Sequence, residues 1–113
     1  MTDYDIGEKL IKSSNFRFFQ EILIPSCVKS IKKSAFSNCS LLKQLTIPSS
    51  VDLIEKCIFY NCSSLAQVTI SSSVKSIKMS VFAECSLLKQ IIIPSSVETI
   101  NDCAFMKCAS LKN

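Results

Sequence analysis

The side chains with the most chemistry to offer are the seven cysteines of this 113-residue chain. Cys39, Cys62, Cys85 and Cys108 recur at a constant step of 23 residues. A metal site would draw on C-x-x-C or C-x-x-x-x-C pairs, or on mixed Cys and His ligands, whereas this step is neither and the chain has no His. If the chain coils with that step, the four cysteines stack in a column. Their thiols then point the same way and not toward one another, which disfavours a disulfide. The column therefore reads as small buried hydrophobes kept as thiols, with a disulfide or a metal ligand set as the alternatives. Cys57 and Cys103 share a second column with Ser34 and Ser80, which makes them semi-exposed positions. A thiol content this high favours a reducing compartment.

Other catalytic chemistry lacks its parts. Without His there is neither a Cys-His nor a Ser-His pair, and the abundant serines are repeated turn residues. Gly7 is the one glycine, so the phosphate-cradling glycine loops are excluded. Asp52 with Glu55, or Glu98 with Asp102, could be paired carboxylates, yet each has lysine neighbours on a face expected to be solvated. The net charge of +4 comes from 13 basic and 9 acidic residues dispersed along the chain. No basic run exceeds Lys32-Lys33, which argues against a nucleic-acid surface or a polybasic membrane anchor. The first 20 residues carry charges throughout, and no stretch approaches the roughly 18 apolar residues of a spanning helix. The chain is expected to have neither an export signal nor a membrane span, so the cytoplasm is open to it.

The elements that position these side chains follow from the repeat. Ile24-Pro25-Ser26-Cys27-Val28 recurs as Ile47-Pro48-Ser49-Ser50-Val51, Ile70-Ser71-Ser72-Ser73-Val74 and Ile93-Pro94-Ser95-Ser96-Val97. Further columns are Ile31, Ile54, Ile77, Ile100; then Phe36, Phe59, Phe82, Phe105; then Leu42, Leu65, Leu88, Leu111. Stacked rungs of a solenoid place such equivalent residues over one another and bury them together. The predicted organisation is a degenerate N-terminal rung or cap over residues 1–23, then four tandem units at 24–46, 47–69, 70–92 and 93–113, the last incomplete. In the first segment, Ile11 to Phe16 keeps the Ile-to-Phe spacing of the unit.

A second period lies over the first. Ser40-Leu41-Leu42-Lys43-Gln44 is identical to Ser86-Leu87-Leu88-Lys89-Gln90, so alternate units resemble each other most. Outside the core this gives the columns Lys29, Asp52, Lys75, Glu98 and Lys32, Glu55, Lys78, Asn101. At the ~4.8 Å spacing of neighbouring strands, such alternation lets each charge face a counter-ion, where identical charges would repel.

Polar and apolar residues alternate in Gln44-Leu45-Thr46-Ile47 and its copies, which predicts a short strand with Leu45 and Ile47 facing in. Pro25, Pro48 and Pro94 end the strands and start a turn. A second extended piece is expected at Val28 to Ile31, and a tight helical turn between Ala35-Phe36 and Cys39. The fold class is thus a β-rich repeat solenoid with short strands and short helical turns.

Residues 24 to 113 resemble the BspA-type leucine-rich repeats of bacterial and protist surface proteins, whose unit runs roughly I-P-x-S-V-x-x-I-x-x-x-A-F-x-x-C-x-x-L-x-x-[IL]-x. The chain departs from it at Lys32, Glu55, Lys78 and Asn101, where that family often has Gly. The resemblance implies a right-handed coil and a non-catalytic adhesion or protein-recognition role, often at a cell surface, with no cofactor or metal. The expected contact ribbon is the outward face of the strands: Gln44, Thr46, Gln67, Thr69, Gln90 and Ile92. Its partner is expected to be a protein or a glycan. At ~4.8 Å per rung the ribbon is about 15 to 20 Å long. It offers roughly 300–400 Å², below the ~800 Å² per partner of a standard interface. The alternative is a structural spacer or array fragment that self-associates through its last rung, where the sequence stops at Leu111-Lys112-Asn113.

Overall fold

The computed structural model describes residues 19–26 and 28–111. Six short strands alternate with turns: β1 (Ser30–Ile31), β2 (Gln44–Thr46), β3 (Leu53–Ile54), β4 (Gln67–Thr69), β5 (Ser76–Ile77) and β6 (Thr99–Ile100). Every pairing is parallel and joins a residue to its copy one unit later, as in Leu45 with Val68 and Ile31 with Ile54. This is the repeat solenoid that the columns predict. Register is fixed because a slip of one residue would turn Leu45 outward and Gln44 inward.

Each rung is bound to the next along three lines. The first is the ribbon of β2 and β4, extended by single bridges from Glu21 to Gln44 and from Thr69 to Ile92. The second comprises the pairs β1 with β3 and β5 with β6. Between them the Pro/Ser corner closes by a four-residue β-turn, the Val51 N–H donating to the Pro48 carbonyl at 3.1 Å and the Val97 N–H to that of Pro94 at 3.1 Å.

The third line occupies the place of the expected helical turn. Alternate N–H groups bond within the rung, as Ala35 to Lys32 at 3.1 Å and Ser37 to Ser34 at 3.1 Å. The intervening ones donate to the next rung: Ser34 to Lys56, Phe36 to Ile58 at 3.0 Å and Asn38 to Tyr60 at 2.8 Å. A continuous helix would bond all of these internally, and no helix forms among the described residues. Positive φ at two positions in each of the first three turns, such as Ser34 (62°) and Asn38 (62°), and at Lys107 in the fourth, rotates alternate amides outward to make this ladder.

Inside, the columns pack as one core. Phe36, Phe59 and Phe82 are fully buried and their rings stack with centroids 5.8 and 5.3 Å apart, a series that Phe105 continues at 5.3 Å. Ile31, Ile54 and Ile77 are buried, but Ile100 in the fourth rung is 46% exposed. The Glu21–Gln44 bridge and the Lys43 N–H donating to the Gln20 carbonyl at 2.9 Å set a further rung edge before the first full unit. The rest of the expected cap, with Ile11 to Phe16, lies outside the described residues, as do Cys27, Lys112 and Asn113.

The charge columns stack in the expected register, the Asp52 N–H donating to the Lys29 carbonyl at 3.0 Å and the Glu98 N–H to that of Lys75 at 2.7 Å. Among the described residues the alternating lysines and acids that flank β1, β3, β5 and β6 do not close into ion pairs. Glu55 instead accepts a hydrogen bond from the Lys33 backbone N–H at 3.0 Å. Exposed side chains of this length gain too little from pairing in water to offset the entropy of being held.

Candidate interaction surface

The cysteine column is built for packing. The Sγ of Cys62, Cys85 and Cys108 donate to the carbonyls of Phe36, Phe59 and Phe82 in the preceding rung, at 3.1, 3.2 and 3.0 Å. Hydrogen bonding with Cys39, followed by burial, pushes the Cys62 thiol far up; burial pushes Cys85 up to about 12 and raises Cys108 as well. Thiols so held keep their protons at neutral pH, and the thiolate is the nucleophilic form. The six described cysteines are all thiols. Among the described residues no three His, Cys, Asp or Glu side chains converge as a metal site, and no helix is long and apolar enough to cross a membrane.

The outward face of the first ribbon carries the expected contact residues. Gln44, Thr46, Gln67 and Thr69 are exposed on β2 and β4 around the buried Leu45 and Val68. Gln90 is exposed too, and Ile92 is 74% exposed although isoleucine is the least polar choice for that position. Backbone pairing aligns Glu21, Gln44 and Gln67 in one column and Thr46, Thr69 and Ile92 in another, and the 23-residue step assigns Gln90 to the first and Leu23 to the second. At the first rung the amide of Gln44 donates to Glu21 Oε2 at 3.2 Å.

The columns are not uniform in depth. β2 and β4 pair over three residues, whereas β4 meets the segment after it through the Thr69–Ile92 bridge alone. Along this looser seam a hollow opens, lined by Gln67, Thr69, Gln90 and Ile92 together with Ala66, Lys89 and Pro94. A second hollow is lined by Gln44 and Gln67 with Lys43, Ala66 and Glu21. Five of the six expected contact residues thus line two adjacent hollows that share Ala66 and Gln67, and Thr46 lines neither. Sequence reasoning passed over Lys43, Ala66 and Lys89. Their signal was the two-unit period, which repeats Lys43 at Lys89 and places a small side chain between them.

Similarity to known proteins is consistent over the whole chain. The family model for the BspA type leucine rich repeat region matches residues 5–113 in six copies. A leucine rich cell surface protein of Faecalibacterium prausnitzii shares 36% identity and a TM-score of 0.81, over 83% of this chain and 25% of its own. A leucine-rich repeat protein of Bacteroides ovatus shares 32% identity and a TM-score of 0.85, over 96% of this chain and 28% of its own. The leucine rich repeat protein of T. pallidum shares 29% identity and a TM-score of 0.84, over 95% and 49% of the two chains. The chain therefore spans about a quarter of the first two structures and half of the third. No curated protein matches it.

Proposed function

The chain belongs to the BspA-type leucine-rich repeat family, whose repeats form interaction modules and are generally non-catalytic, and we propose that it binds a protein or glycan partner through the outward face of its β2–β4 ribbon. The observation that carries this reading is the ribbon itself. Gln44, Gln67 and Gln90 offer a column of amides able to donate and accept, and Ile92 stands in solvent beside the hollow of the loosened seam. An adhesive role is supported by the Faecalibacterium relative, which is a cell surface protein. The face is small, so strong attachment calls for several copies acting together.

Selection of binders from an unbiased peptide display library on the immobilised chain tests this. The Gln67→Arg/Thr69→Arg double variant should lose most selected binders, while Lys75→Glu/Lys78→Glu on the other sheet should keep them. Binders indifferent to the ribbon variant overturn the assignment.

A second reading, a structural spacer, is supported by the fourth rung, where Ile100 is 46% exposed and Phe105 only partly buried. Light scattering across a range of concentrations separates the two. A constant mass near 12.5 kDa supports the binding module. Growth with concentration that a Leu111→Lys change abolishes supports the spacer.

A further inference from the structure

We propose, building on the ribbon reading, that the saddle formed by Lys43, Ala66 and Lys89 receives a short acidic, aliphatic segment of a protein partner. The first observation is charge segregation. The strand-side segments 40–47, 63–70 and 86–93 contain two lysines and no Asp or Glu, although the chain carries nine acids. The acids of the four units lie elsewhere: Asp52, Glu55, Glu98 and Asp102 flank the second sheet, and Glu84 stands at the turn ladder beside Tyr60. Glu21 borders the hollow on the Lys43 side and is engaged there by the Gln44 amide. Among the described residues neither lysine has a carboxylate partner. Two lysines against one acid leave the field over Ala66 positive, most of all on the Lys89 side.

The second observation is shape. The two-unit period puts Lys43 and Lys89 two rungs apart, about 10 Å at the usual strand spacing, and fills the rung between them with Ser64 and Ala66. Ala66 lines both hollows, one with Lys43 and the other with Lys89. An extended segment places alternate side chains about 7 Å apart on one face. Carboxylates at that spacing lie within reach of both flexible ammonium groups.

The third observation selects a protein over an acidic polysaccharide. Ile92 (74% exposed) lines the hollow beside Lys89, and Leu41 (44%) and Leu87 (49%), each two residues before a saddle lysine, are further aliphatic side chains in solvent. A peptide with apolar residues beside its acids covers them, whereas a uronate chain leaves them wet. The three segments also hold no aromatic ring on which a sugar could stack.

Fluorescence anisotropy at low salt tests the proposal with a labelled Glu-Leu peptide of sequence Glu-Ser-Glu-Ser-Leu-Ser-Leu, which presents its acids and leucines on one extended face, with the Lys-Leu peptide (Lys in place of each Glu) and polygalacturonate as the other probes. The Glu-Leu peptide should bind, weaken as salt rises, and weaken at least about tenfold in Lys43→Glu/Lys89→Glu. Lys75→Glu/Lys78→Glu should leave it within about twofold. Equal loss in both variants reduces the effect to general charge and overturns the proposal. Preference for polygalacturonate, equal binding of the Lys-Leu peptide, or no binding of the Glu-Leu peptide overturns it too. The wider ribbon reading is judged separately, since library binders lost in Gln67→Arg/Thr69→Arg yet poor in acids would uphold the ribbon and reject only the saddle.

Discussion

At the scale of single residues, environment decides what each polar atom can do. The thiol of Cys85 keeps its proton up to about pH 12, whereas an unfolded cysteine loses its own near pH 9. Between these values the unfolded chain binds fewer protons, so stability is complete below about pH 9 and falls as pH rises through the window. Urea midpoints at pH 7.5, 9 and 10.5 should fall, and Cys85→Ala should show a shallower fall, by at most about 1.4 kcal/mol per pH unit for one proton. An unchanged slope in that variant would remove the thiol from the explanation. The serine corner offers a paired comparison. Ser73 Oγ donates to the Val51 carbonyl and Ser96 Oγ to that of Val74, but the equivalent Ser50 Oγ is buried without a partner. Ser73→Ala should cost about 1 kcal/mol and Ser50→Ala close to nothing, since only the first loses a made bond. Equal denaturation midpoints for the two variants would contradict this difference.

At the scale of elements, the turn ladder shows where sequence reading stopped. The Leu45 and Val68 strands, the Pro48 corner and the Phe and Cys columns follow from periodicity, because burial acts on side-chain type and leaves it in the sequence. The ladder between Ala35 and Cys39 does not, because it rests on backbone angles that hydrophobic spacing does not encode. Asn38 and Asn61 were its one local sign, as asparagine tolerates the left-handed region better than most residues. Glu84 and Lys107 occupy the same place with φ of 62° and 60° and carry no such tolerance. The exposed strand face was similarly legible in Gln67 and Thr69 but its hollows were not: one follows the loosely paired seam at Thr69 and Ile92, and both border the small side chain of Ala66. Lys107→Asn should therefore raise stability by roughly 0.5 kcal/mol, and the β-branched Lys107→Val should lower it by about 1 or more. Thermal melts of the two variants check the sign, and a loss in both would mean that Lys107 contributes something its backbone angle does not reveal.

At the scale of the whole molecule, the rungs touch only their neighbours, so stability is passed along a line and must differ between its middle and its far rung. Phe59 is stacked on both sides and buried, while Phe105 stacks only on Phe82 and is partly open. Phe59→Ala should cost about 3–5 kcal/mol, the usual range for a buried phenylalanine, and Phe105→Ala distinctly less. The same gradient should appear without mutation in native-state hydrogen exchange. The Phe59 and Asn61 amides, which donate to Val81 and Ala83 at 2.8 Å each, lie on the second rung and should exchange only after both the fourth and the third rung have opened. The Ala104 and Met106 amides, bonded only within the fourth rung at 3.0 and 3.3 Å, should exchange by fraying of that rung at a lower free energy. A third-rung amide such as Glu84, which donates to Met106 at 2.8 Å, should fall between them, because that bond breaks as soon as the fourth rung leaves. Uniform protection at all five positions would mean that the stack opens as one unit. In that case the loosened seam at Thr69 and Ile92 would be a static feature of the surface, with no bearing on how the ribbon opens to a partner.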